Sequence, residues 1–413
     1  MTGRSDCDRC ASVSANRSIA TPGISVDAIV DKALDLIASG GLAELTLRPL
    51  ATGLGVSVPV ISARMGSKEQ LLEGLTQAAH TRDRAFLEKW AALAKAVGAT
   101  DSASRAAIAE LALREWVTRE RRQAVLLIEL VHDRALRRDR LAALEDWLDD
   151  AGRFWATLIF GDTALAELAL GYVLDEAGFS LGIGDDPKYA LLRSLCLQRF
   201  ARGIFADADA GTGAAIASLI GLFDTAAPPA VEEEDPKRQR IIASAAELIV
   251  SQGIDSVTHR SVALAAGVPA STVVYHFGSR PALVVASLHA VIARFHRRRS
   301  DIRIGDGGGP PSDTSIEDLI KATSMIALAS AREPSLRPYA IDMRRRRGEN
   351  WRASDMQAMQ IGIGAAFDRA AGQVLSIAAF GLGMIGMARK ASDPAHFAQA
   401  FAALEAWRTG SLA

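Results

Sequence analysis

Cysteine is nearly absent: the 413 residues include three, Cys7, Cys10 and Cys196, an odd number with no framework spacing. That argues against a disulfide-built secreted scaffold and for a reducing compartment, the cytoplasm. Cys7 and Cys10 have metal or redox spacing, yet no second Cys or His pair lies near them, so no metal and no cofactor is expected. Long apolar runs are missing too. The longest, Val374 to Ala388, falls short of the roughly 20 residues that span a bilayer, and the stretch up to Gly23 lacks the apolar core of a signal peptide, so no membrane role is expected. Neither sign of charge is in excess, with 47 Lys and Arg against 48 Asp and Glu. No segment sustains a period-two alternation of apolar and polar residues, which excludes a sheet-built fold. Catalytic signatures are wanting as well: the seven histidines form no HxxxH or HExxH, and no G-x-S-x-G or nucleophile with an evident base occurs. No enzyme is expected.

What the chain does have is apolar material, 49% of its residues, and a length that calls for two or three domains. It also repeats itself. Setting Gly41 on Gly253, an offset of 212 residues, aligns Ala33 with Ala245, Leu36 with Leu248, Ile37 with Ile249, Thr46 with Thr258 and Arg48 with Arg260. The same register runs on through Ala51/Ala263, Gly55/Gly267, Val56/Val268, Gly66/Gly278, Ser67/Ser279 and Leu71/Leu283. One residue further, Arg119-Glu120 aligns with Arg332-Glu333 and Ile128-Glu129 with Ile341-Asp342. Two copies of a unit of roughly two hundred residues follow. The Pro-rich acidic stretch 224–236 reads as the linker between them, and 305–313, rich in Gly and Pro, as a loop within copy two.

Both copies read as helical. Val26, Ile29, Val30, Ala33, Leu34 and Ile37 keep the i, i+3, i+4, i+7 spacing of an amphipathic helix, as do Ile241, Ile242, Ala245, Leu248 and Ile249. Ala107–Val117, Arg140–Phe160 and Phe397–Trp407 carry helix formers at helical spacing. The fold class is all-α.

After Gly253 comes a pattern with a physical meaning. Thr258 can cap a short amphipathic helix, Gly267 permits the positive φ of a sharp turn, Val268 packs back, and Pro269 stands where a second helix opens. That is a helix-turn-helix, whose second helix enters a DNA major groove. The run T-x-R-x-x-A-x-x-A-G-V followed by S-T-V-V-Y-H-F-G-S-R-x-x-L, Thr258 to Leu283, resembles the tetracycline-repressor (TetR) family over about fifty residues. The resemblance implies a dimeric all-α repressor with an N-terminal DNA-binding domain and a divergent C-terminal domain that binds a small molecule and dimerises. It implies base-edge positions at Arg260, Ala270, Ser271, Tyr275 and His276, phosphate positions at Thr258, Thr272 and Arg280, and a core anchor at Phe277. Val274 departs from the family's usual phosphate-contacting Tyr. In copy one Ser62 and Ala63 replace the aromatic positions, and Arg64 and Met65 the His-Phe pair, leaving Arg48, Arg64 and Lys68 as DNA candidates.

Charge divides the copies. Residues 237–300 hold nine Lys and Arg, Lys237 and Arg238 among them, against two acids, a net of +7; the aligned residues 25–88 hold six against eight, a net of −2. Since cations that displace phosphate counterions supply most nonspecific DNA affinity, copy two is the expected reader, and copy one either a weak reader or scaffold.

Other features have blander readings. Gly381-Leu-Gly383-Met-Ile-Gly386 matches the dinucleotide pattern, but too little chain follows for a crossover helix and second strand, and close helix packing explains it, as it does Gly178, Gly182 and Gly184. Arg344 to Arg347 with Asp342 reads as a solvated or salt-bridged helix end, an anionic effector contact or partner surface being the alternative. Trp116, Trp147, Trp155, Trp351, Met356 and Met359 could line an effector pocket between helices or simply pack the core.

The resulting expectation is a tail at 1–24, a degenerate helix-turn-helix domain at 25–73 and its helical regulatory domain at 74–223. After the linker come a DNA-binding domain at 237–284 and a second regulatory domain at 285–413. The protein is expected to bind double-stranded DNA as a covalent pseudo-dimer, or as a homodimer using copy two, and to be a repressor released by a small-molecule effector. The alternative is a ligand-sensing or interaction protein of the same fold that has lost DNA binding.

Overall fold

In the computed structural model, which describes residues 24–137, 141–203, 210–223, 235–301, 316–349 and 368–389, every regular element is helical and no strand occurs among the described residues. Copy one opens with α1 (Val26–Gly40), capped by Ser25, whose hydroxyl accepts from the Ala28 amide at 3.1 Å. The stripe read from the sequence is buried at Ile29, Val30, Ala33, Leu34 and Ile37, while Val26 in the first turn overhangs the core and stays half exposed. Short helices α2 (Leu47–Leu54) and α3 (Val58–Met65) complete a three-helix head. The long α4 (Lys68–Val97) leads into a bundle of α5 (Ser102–Thr118), α6 (Arg121–Arg137), α7 (Ala142–Phe160), α8 (Ala166–Ile183), α9 (Pro187–Arg202) and α10 (Ala210–Leu222).

Copy two repeats the order with a head of α11 (Pro236–Gln252), α12 (His259–Ala266) and α13 (Ala270–Phe277), then α14 (Arg280–Asp301), α15 (Ile316–Ala329), α16 (Arg337–Arg345) and α17 (Arg369–Ala388). The linker residues 224–234, the 305–313 loop and Phe397–Trp407 lie outside the described residues, as do Cys7 and Cys10.

The two copies share one core. Copy two's α17 lies along copy one's α8 and also meets α6, α9 and α10, while α15 and α16 also pack on α8. A single apolar cluster therefore runs from Ile29 in the first head to Ile385 in α17. The glycines explain how closely α8 and α17 approach. A Cβ on Gly171 would come within 2.7 Å of the Leu382 amide nitrogen, and one on Gly381 would overlap the Gly171 carbonyl, so the backbones cross where neither helix has a side chain. The packing reading of Gly381 and of Gly182 agrees with these contacts, whereas a Cβ on Gly178 would make only an ordinary contact with Ala327 and one on Gly184, which caps the end of α8, would meet open space. At 20 residues α17 is long and apolar enough to cross a membrane, longer than the apolar run alone indicated; 94% of its apolar window is buried within the protein.

The arginine run is corrected by the structure. Arg344 and Arg347 are buried, at 1% and 5% exposure, and both reach across to copy one. Arg344 grips Glu176 of α8 with both ends of its guanidinium, at 3.1 and 2.9 Å, and donates to Gln373; Arg347 donates to both oxygens of Asp175, at 2.8 and 3.0 Å. Arg347 also lies between the rings of Phe179 and Phe380, 5.1 and 3.9 Å from their centroids. Tyr189 donates to Glu176 at 2.7 Å. Arg345 and Arg346 instead pair with Asp342 on their own helix end. Burial pushes the Asp175 carboxyl up to about 6 in spite of Arg347, whereas Glu176 outweighs burial at Arg344 and holds its pKa above the usual value. Two adjacent acids in an otherwise apolar helix were the sequence signal for this site, and their partners lie in the other copy.

Candidate nucleic-acid interface

The second head is built from its caps outward. Asp235 caps α11 by accepting from the Lys237 amide at 2.9 Å, with Pro236 at the first helical position where no amide partner is needed. Thr258 caps α12: its hydroxyl accepts from the Ser261 amide at 3.0 Å, and the Ser261 hydroxyl accepts from the Thr258 amide at 2.9 Å. This closes a capping box with Ser in place of the usual Glu or Gln. Gly267 then turns the chain at φ 65°, and Val268 bonds back to the Ala263 carbonyl at 3.0 Å. In α13 Val273 and Phe277, one turn apart, are driven into a core with Val262, Ala263, Ala266 and Ile249.

Fixing that inner stripe determines the outer one. Ala270, Ser271, Val274 and Tyr275 face out, Tyr275 being 85% exposed, and Arg260 is exposed on α12. Thr272 is half-buried, Thr258 and Lys237 are exposed, and Arg238 leans over the Phe277 ring at 5.0 Å. Two residues assigned from the resemblance are turned elsewhere. The His276 side chain, 12% exposed, faces Asp235 across 3.6 Å, so it braces the start of α11 instead of standing outward. Arg280 donates to the carbonyls of Val257 and Ile254, at 2.8 and 3.3 Å, and so holds the turn between α11 and α12. Val274 and Leu264 were not assigned, yet both are exposed, Leu264 at 85%.

The first head has the same path, with Gly55 at φ 67° in the turn, but Thr46 caps α2 without a side-chain bond. Arg48, Arg64 and Lys68 are exposed. Other cations of this region are already paired, Arg82 with Asp31 at 2.7 Å and Arg84 with Asp150 at 2.9 Å.

The tryptophans proposed as pocket lining are close-packed. Trp116 and Trp147 donate their indole N–H groups to the two oxygens of Asp83, at 2.9 and 2.7 Å, and Trp155 lies edge-on to Trp116 at 6.1 Å. Burial pushes the Asp83 carboxyl up to about 6 against those two donors. An open cleft of about 570 Å³ lies next to them, lined by Arg84, Leu87, Ala91, Lys95, Arg105 and Phe154 among others. Trp351, Met356 and Met359 lie outside the described residues. Among the described residues no group of three His, Cys, Asp or Glu is placed to hold a metal ion, and burial holds the Cys196 thiol up at about 11.

The family model described as bacterial regulatory proteins, tetR family, matches the chain twice, at residues 29–75 and 241–286. No curated protein matches it. Each match falls on one of the two heads, from the first helix through the turn to the start of the long helix that follows. Two such blocks in a chain whose described elements are all helices make it a tandem member of the TetR family, with two TetR-like units in one polypeptide.

Proposed function

We propose that the protein is a sequence-specific transcriptional repressor whose two units form a pseudo-dimer within one chain and which an effector releases from DNA. The outward face of α13, Ala270, Ser271, Val274 and Tyr275, together with Arg260 exposed on α12, is the observation that carries this reading. A short helix presenting small and aromatic groups, together with an exposed cation on a net-positive head, suits base-edge contact in a major groove. Thr258, Thr272, Lys237 and Arg238 serve the phosphates in this reading. Copy one's head, with Arg48, Arg64 and Lys68, reads a second half-site weakly. Units of about 25–223 and 237–413 are joined at 224–236.

The cleft between α4, α5 and α7 is the effector site in this reading, and Lys95 and Arg105 beside apolar walls favour an apolar molecule with an anionic group. Binding there acts by its different affinity for the states with the heads spaced for DNA and out of register with it. In vitro selection from random duplex DNA with the full chain tests the whole. Two unlike half-sites one helical turn apart are expected. A palindrome would mean a homodimer using copy two, and no enrichment would leave a sensor or interaction protein that has lost DNA binding.

A further inference from the structure

The contact between units is not symmetric in charge, although the helices that make it are related. The offset of 213 residues that aligns Ile128 with Ile341 places Arg344 on Val131 and Arg347 on Arg134. The helices α8 and α17 align at an offset of 201 through Gly171/Gly372, Val173/Val374, Leu174/Leu375, Ala177/Ala378, Phe179/Phe380, Leu181/Leu382 and Gly182/Gly383, which places Glu176 on Ile377 and Asp175 on Ser376. Contacts follow the same relation: α16 packs on α8, and its counterpart α6 packs on α17. On one side of the pseudo-twofold the pair is therefore Arg344 with Glu176, both buried and bidentate. On the other, the corresponding positions are Val131 and Ile377, buried and apolar, at 2% and 0% exposure.

We propose that this asymmetry dictates which unit pairs with which: copy one accepts copy two and neither accepts itself. Copy one against a second copy one would set Glu176 opposite Val131 at both ends, leaving two buried carboxylates with the Tyr189 hydroxyl but without the guanidinium that grips them. Copy two against copy two would set Arg344 opposite Ile377, stranding two guanidinium groups. A buried charge deprived of its partner is strongly unfavourable, whereas apolar groups of similar volume in the same place are tolerated, and here the related positions are themselves buried and apolar. Arg347 adds to the selection against copy two pairing with itself, because it bonds Asp175, where copy two has Ser376; copy one keeps an arginine, Arg134, at the related position. The fused chain thus closes on itself instead of assembling through two identical units. This rests on the pseudo-dimer reading only for its single-chain form.

The test compares the full-length wild type with Glu176→Ile, Arg344→Val and the double variant, by thermal unfolding and by light-scattering mass. Each single variant is expected to lose at least about 6 °C in Tm, because a charge is left alone, and the double to return to within about 3 °C of wild type or above it. Glu176→Ile also removes the acid that makes copy one reject itself, so this variant is expected to gain a two-chain species on concentration that the wild type lacks. A double variant that loses the sum of the single losses overturns the proposal, as does a Glu176→Ile chain that keeps the wild-type Tm and stays single at every concentration. A wild type of two-chain mass with a recovering double removes the single-chain reading proposed above and leaves the pairing rule standing.

Discussion

Arg280 offers the sharpest separation between a residue that touches DNA and one that holds the reader in shape. The family resemblance puts it on phosphate, but its guanidinium donates to the carbonyls of Val257 and Ile254, the last residues before α12 is capped. Replacing it by Met keeps the aliphatic stem and leaves those two carbonyls without their charged donor. Hydrogen bonds to charged groups contribute about 1.5–3 kcal/mol each when well formed, and the site is half-buried with one long bond, so a loss of about 2 kcal/mol of head stability is expected. A phosphate contact would show differently: each one lost reduces the slope of log affinity against log salt by about 0.9. The assay is therefore urea unfolding followed by the head's own signal, together with duplex binding from low to moderate salt. Arg280→Met should unfold earlier while its salt slope matches the wild type. An unchanged stability with a slope lower by about one unit would refute the assignment and return Arg280 to the phosphate backbone.

Arg260→Ala should do the reverse, leaving stability within about 0.5 kcal/mol and weakening and relaxing recognition by ~1–3 kcal/mol, read by competition between selected and mismatched duplexes. Asp83→Asn addresses pH. The Asp83 carboxyl is raised from 3.8 to about 6, so the folded state keeps its proton longer than the unfolded chain, and stability on this account is greatest below about pH 4 and falls by about 3 kcal/mol as pH rises to 6. The variant should lack that fall; comparing it with wild type isolates Asp83 from His132, whose burial pulls its pKa down to about 4 and acts in the opposite sense. If both proteins follow one pH curve, Asp83 is not the titrating group. Gly381→Ala should destabilise by about 1–3 kcal/mol by forcing α8 and α17 apart, and a neutral result in thermal unfolding would show that the helices do not cross there.

The heads were legible because everything that specifies them is local. The stripe Ile29 to Ile37, the cap at Thr258 and the turn at Gly267 lie within one or two helical turns of what they organise, and periodicity reports them directly. The inner stripe of α13 is legible for the same reason, so the exposure of Ser271 and Tyr275 follows once Val273 and Phe277 are buried. The intramolecular partners of His276 and Arg280, Asp235 and the carbonyls before α12, were not legible because they come from other segments of the head. The tryptophans give the same lesson, since only the fold brings Asp83 between Trp116 and Trp147, 33 and 64 residues away.

The amino-acid order by itself determined the duplication, the helical class and the position of the second helix of each helix-turn-helix, all encoded over short spans in spacing, caps and turn residues. Tertiary structure alone decided how the copies meet. Arg344 and Glu176 are 168 residues apart, and Arg347 and Asp175 are 172 apart. An arginine run has the same local pattern whether it ends in water or in a partner. Burial makes the difference, because a charge withdrawn from water must find its counterion within reach, and only the folded chain carries α8 to that place.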